Sequence, residues 1–136
     1  MTPFDLKIVT PDGMEYEGQA EEVIVRTTSG DIGILAGHMD CVAPLGMGRA
    51  TFVIDGKKRY AACIGGLLSV VKGKVTLVPT TFEWAEDIDA DRAQRAMDRA
   101  KSVLSDKALG KTDIAVAEAK LKRALIRKSV ADTRNR

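Results

Sequence analysis

The sequence predicts an all-β domain of sandwich or barrel type followed by an antiparallel two-helix hairpin, and three observations carry that reading. All six aromatic residues, all four prolines and eleven of the twelve glycines fall within residues 1–86. In the same stretch β-branched and aromatic residues recur in short runs separated by turn signals every eight to twelve residues. From Asp87 onward the apolar residues recur at intervals of three and four, the spacing of one helical face. Charge divides at the same place: residues 1–86 carry 8 Lys/Arg against 11 Asp/Glu, and residues 87–136 carry 13 against 8, within a total of +2.

Taken in order, Phe4 to Val9 alternates and then meets Pro11-Asp12-Gly13, where proline presets one turn dihedral and glycine supplies a positive φ. Further strands are predicted over 22–27, 31–35, 49–54, 58–63, 67–71 and 74–79. Asp55-Gly56 and Lys72-Gly73 are the hairpin turns between them. The first helix places Ala93, Ala96, Met97, Ala100, Val103 and Leu104 on one face, and the second places Ile114, Ala117, Leu121, Ala124 and Leu125. Between them, residues 107–112 carry Gly110, the only glycine available to end the first helix. Asp87 or Asp89 serves as the first N-cap and Thr112 or Asp113 as the second. The seam is mostly alanine, and about fifty residues so arranged bury too little to be secure alone, so the pair reads as an arm able to rearrange. The tail, residues 132–136, is expected to fray.

At 136 residues, 45% hydrophobic and 29% charged, the composition is that of an ordinary globular chain. No apolar run approaches the 18 or so residues of a membrane span, and the N-terminus lacks the basic and apolar regions of an export signal, so a cytoplasmic location is expected. Cys41 and Cys63 are expected to be a reduced, buried pair, and with a single histidine the chain cannot furnish a structural zinc site. Gly110-Lys111-Thr112 resembles the end of a phosphate-binding loop, but Ser105 stands where that motif needs glycine, so the segment is read as the hairpin loop. His38 has no legible nucleophile and orienting carboxylate, and Glu21 and Glu22, adjacent on a strand, point to opposite faces. No active site emerges, and an enzyme acting alone is disfavoured.

Two glycine-dense segments are more specific. Gly30-Asp31-Ile32-Gly33-Ile34, ending in Gly37-His38, and Gly65-Gly66-Leu67-Leu68-Ser69-Val70 both place glycines beside apolar strand residues, where bulges or close backbone approach are needed. With Val9-Thr10-Pro11-Asp12-Gly13 and Asp87-Ile88-Asp89-Ala90-Asp91-Arg92-Ala93, they make the whole chain resemble the epsilon subunit of the bacterial F-type ATP synthase. It departs from that pattern at Ala36, where proline is usual, and at Asp40-Cys41, where Pro-Leu is common. The resemblance implies a flattened β-sandwich over residues 1–86, bound to the gamma subunit and the c-subunit ring of a proton-translocating rotor. It also implies a regulatory helical arm over 87–136 that meets the alpha and beta subunits when extended and inhibits ATP hydrolysis. Asp31 and His38 fall at the family's c-ring contact, here expected on loops at one end of the sandwich. The implied location is peripheral, at the cytoplasmic face of the bacterial plasma membrane.

Some members bind ATP through Ile/Leu-Asp-x-x-Arg-Ala, which Ile88-Asp89-Ala90-Asp91-Arg92-Ala93 matches. The resemblance extends to Glu83, Arg99, Arg123 and Arg127. It implies ATP as a regulatory ligand, with no catalytic cofactor and no metal. Helical geometry supports the set independently, since Arg92 and Arg99, seven residues apart, share a face about 10 Å apart along the axis, while Arg123 and Arg127, four residues apart, share a face of the second helix. Folding about Leu109 places Arg92 opposite roughly residue 126 and Arg99 opposite roughly 119 in an idealised register. Four guanidinium groups so placed suit a polyphosphate, to which arginine makes forked, charge-assisted bonds. The competing reading is a nucleic-acid module using Lys120, Lys122, Arg123, Arg127 and Lys128. It is disfavoured because every aromatic residue able to stack on a base lies in the acidic part of the chain.

Overall fold

The computed structural model describes residues 1–106 and 108–135; Lys107 of the expected helix connection and Arg136 of the expected fraying tail lie outside the described residues. Two compact units are present, Met1–Trp84 and Ala85–Arg136.

The first unit contains eight strands: β1 (Phe4–Thr10), β2 (Gly13–Ala20), β3 (Glu22–Thr27), β4 (Gly30–Ile34), β5 (Cys41–Pro44), β6 (Met47–Ile54), β7 (Lys57–Val71) and β8 (Lys74–Trp84). They hydrogen-bond in the order β2-β1-β8-β7-β6-β3-β4, with β5 on β7. Every pairing between named strands is antiparallel except that of β1 with β8. The ladder folds into two layers because β7 bends at Gly65 and Gly66, both at positive φ (67° and 102°). Residues before the bend pair with β6, and residues after it pair with β5. At Gly66 nothing but glycine fits, since a Cβ would stand 2.1 Å from the Val78 carbonyl oxygen. The sequence reading therefore divided one long strand at this bend.

Opposite Gly66 lies Pro79, past which β8 continues to Trp84 rather than stopping as expected. Proline is tolerated there because the pairing of β8 with β1 ends at Leu77, so no ladder donor is lost on that side. Two further strands were missed. β2 is an edge strand with two glutamates and few β-branched residues, and β5 is four residues long.

Alternation along the strands builds the core. Leu6 and Ile8 of β1, Val23 and Val25 of β3, and Leu68 and Val70 of β7 are all at most 1% exposed. Phe52, Phe82 and Trp84 meet edge to face at centroid distances of 5.0–6.1 Å, with Tyr16 against Trp84 at 6.4 Å. Both predicted hairpin turns form, with positive φ at Asp55 and Gly56 and at Lys72 and Gly73. Each is held by a distant carboxylate: Glu21 accepts the Asp55 and Gly56 N–H groups (3.2 and 2.8 Å), and Asp40 accepts that of Lys72 (2.8 Å). Cys41 and Cys63 are both free thiols, Cys63 buried and Cys41 only half-buried, so the expected buried pair is half correct.

The second unit is a helix pair, α1 (Ala90–Leu104) and α2 (Lys111–Ala131), flanked by 3-10 segments at Ala85–Asp87 and Asp132–Asn135. Asp89 caps α1, its carboxylate accepting the Arg92 N–H at 3.0 Å. The expected glycine stop does not operate. α1 ends at Ser105, which stays in right-handed backbone geometry while its hydroxyl donates to the Ser102 carbonyl at 2.6 Å. Gly110 instead caps α2 without a side-chain hydrogen bond, so Lys111-Thr112 and Asp113 form its first turn rather than a loop or a cap. Within the described tail, Asp132–Asn135 forms a 3-10 segment in which Thr133 is buried.

Candidate functional site

Ala93, Met97 and Ala100 of α1 are buried together with Ala117 and Ala124 of α2. Side chains this small leave space between the helices, and a cleft of about 580 Å³ opens there. Its floor is Ala96, Ala100, Ala117 and Ala124, with Val103, Leu109 and Val116 toward the connection. Among the described residues its polar lining is cationic: Arg99 from α1, and Lys120, Arg123 and Arg127 from α2, against the single carboxylate of Asp113. The volume falls within the range typical of small-molecule sites. Four cations around one cleft repel one another and favour a polyanionic occupant, most strongly where the protein excludes water.

The structure thus brings together Arg99, Arg123 and Arg127 of the predicted set. Arg92 is exposed and is not part of the lining, but it continues the stripe 92, 96, 99, 103 one turn beyond it. Asp89 is occupied as the helix cap, and Ile88 and Ala93 are buried, which gives these three a role in building the start of α1. Glu83 belongs to the other unit, on β8 opposite Ala62. Lys120 was not assigned to the ligand site from sequence. Its signal was there, since 113, 116, 120, 123 and 127 form one face of α2 at intervals of three and four.

Asp31 and His38 are placed differently from expectation. Asp31 lies within β4 beside the turn from β3, with its carboxylate 3.0 Å from Arg26 Nε. His38 follows the other end of β4, where its N–H donates to the Leu35 carbonyl at 3.2 Å and its Nδ1 lies 2.8 Å from the Met39 carbonyl oxygen. The length of an edge strand separates them, so they do not share a loop end. Among the described residues, no group of three or more His, Cys, Asp or Glu could hold a metal ion, and no helix is long and apolar enough to cross a membrane.

Comparison with known proteins agrees with both units. The family model for the ATP synthase delta/epsilon chain β-sandwich domain matches residues 3–85, and that for its long α-helix domain matches residues 86–132. An ATP synthase epsilon chain of Bacillus velezensis is 44% identical over 131 residues, covering 96% of this chain and 98% of the relative. One from Shouchella clausii is 38% identical, covering 96% of each. A chain of the Euglena gracilis mitochondrial ATP synthase, solved with OSCP, F1 and c-ring, superposes with a TM-score of 0.80 at 22% identity, over 91% of this chain and 78% of that one. A chain of the Tetrahymena thermophila central stalk and c-ring structure superposes at 0.65 and 10% identity, over 93% of this chain and 95% of that one. At those identities the two structures speak to the fold alone, whereas the family models and bacterial relatives reach further: the chain belongs to the ATP synthase delta/epsilon family, among the epsilon chains, non-catalytic subunits of the rotary synthase.

Proposed function

We propose that this chain is the rotor subunit that bridges gamma and the c ring in a proton-translocating synthase at the cytoplasmic face of the plasma membrane. Its helical arm binds ATP without hydrolysing it and, when extended toward alpha and beta, restrains ATP hydrolysis. The observation that supports ATP sensing is the convergence of Arg99, Arg123 and Arg127 with Lys120 on one cleft, in a chain that also carries Ile88-Asp89-Ala90-Asp91-Arg92-Ala93. The lining offers cations for phosphate oxygens, and its one carboxylate, Asp113, forms no acid/base pair with another.

Ligand binding to the closed hairpin alone adds RT ln(1 + [L]/Kd), about 2.7 kcal/mol at a hundredfold excess over Kd, a large increment for an alanine seam. Plentiful ATP then holds the arm folded, and scarcity releases it. Arg99→Ala and Arg123→Ala, one from each helix, weaken ATP binding at least about tenfold, since each removes a charge-assisted bond. ATP affinities of Arg99→Ala and Arg123→Ala equal to that of the parent chain rule the mechanism out. For the c ring, the exposed edge of β4 supports a contact running from Asp31 toward His38. A cysteine at Asp31 that cross-links to alpha or beta but never to the c subunit overturns it.

A further inference from the structure

Helices joined at one end separate first at the other, and the open end of this hairpin is tied. There the 3-10 segment Asp132–Asn135 and helix α2 pack against the 3-10 segment Ala85–Asp87 that leads into α1. Val130 and Ala131 are at most 1% exposed, and Ala85 and Ile88 at most 4%. Thr133, a polar residue, is buried, with its hydroxyl donating to the Val130 carbonyl at 2.6 Å. Arg134 spans the two segments. Its Nε–H donates to the Ala131 carbonyl at 3.1 Å, and its Nη1 reaches the Glu86 carbonyl oxygen, 48 residues away, at 3.5 Å. Lys128 pairs with Asp132 at 2.8 Å, which fixes the point where the chain leaves α2.

We propose that the C-terminal 3-10 segment is a clasp that keeps the hairpin shut by gripping residues 85–88. The apolar packing supplies its hold and the Arg134 bonds orient it. The clasp acts with or without a ligand in the cleft and sets how much of the population is closed before any ligand binds. A hairpin that must close to bind shows an affinity reduced by its closed fraction, so loosening the clasp weakens the apparent affinity for a cleft ligand. Its regulatory consequence rests on the reading that the arm opens to restrain hydrolysis.

Amide hydrogen exchange on the full chain without ATP tests the clasp apart from the cleft. Thr133→Asp places a carboxylate in the buried position, and Arg134→Ala is a milder variant that leaves α2 whole. Both accelerate exchange at residues 85–88, including the Ile88 N–H that bonds to the Ala85 carbonyl, at least about fivefold. Strand amides over 57–71 are unchanged. If exchange rises only within 128–131, or if residues 85–88 exchange at the parental rate in both variants, the tail merely finishes a helix and the clasp is refuted. In the assembled synthase both variants lower ATP hydrolysis by favouring the extended arm; faster exchange with unaltered hydrolysis overturns the regulatory role. Removing residues 87–136 in the same assay reports separately on whether the arm inhibits at all.

Discussion

Individual backbone positions carry much of the sandwich. Gly66 combines a φ of 102° with a carbonyl oxygen 2.1 Å from where a Cβ would stand, whereas a Cβ at Gly33 meets nothing within 4 Å. Gly66→Ala is therefore expected to cost about 3 kcal/mol or more, from left-handed strain and overlap with β8 together. Gly33→Ala stays within about 0.5 kcal/mol of the parent. Thermal unfolding of the two variants provides the comparison, and equal losses contradict this account of the bend. Cys63 makes a second prediction. Burial pushes its thiol from an ordinary 9.0 up to about 12, so the fold holds a proton that the unfolded chain releases. Its contribution to stability is complete below pH 9 and is lost as pH rises toward 12. With a thiol reagent near pH 8, half-buried Cys41 reacts in the native protein and Cys63 only on unfolding. Prompt reaction of both thiols is incompatible with the described packing.

Among elements, the two helix starts differ in a way that stability measurements resolve. Asp89 gives α1 a side-chain acceptor, and Gly110 gives α2 none. Asp89→Ala is expected to destabilise the hairpin by about 1 kcal/mol, and Gly110→Ser to stabilise it by a few tenths. Helical signal followed on heating checks both signs. Elements also show what the sequence made legible. β1, β3 and β6, with alternating apolar residues, and the turns at Asp55-Gly56 and Lys72-Gly73 could be read directly, because burial on one face and positive φ both leave marks in local sequence. β2 could not, since Gly13–Ala20 is held by pairing with β1 and has little intrinsic strand character. Nor could the continuity of β7, because adjacent glycines look like a break when the carbonyl they must admit belongs to a residue twelve positions later. For the site, helical periodicity placed Arg99, Arg123 and Arg127 on facing sides. The cleft itself depends on how closely alanine faces approach, and the 3-10 tail on packing against residues 85–88; neither is a property of a local pattern.

For the molecule as a whole, the division of labour follows from where burial is concentrated. The β unit contains every aromatic residue and a continuous core, so it suits a fixed part of a rotor. The helical unit buries mainly alanine and carries its cations around the cleft between its helices, and on the proposed reading its closed form responds to a polyanion bound there. On the two proposals taken together, charge repulsion within the cleft and the clasp at the open end act in opposite senses, so that a polyanion tips the balance. That ATP occupies the cleft and closes the arm is the central claim, and calorimetric titration of the full chain with ATP tests it most directly. The account predicts saturable one-to-one binding, greatly weakened when Arg99 and Arg123 are both replaced by alanine; absence of saturable heat in the parent chain, or an unchanged isotherm in the double variant, contradicts it.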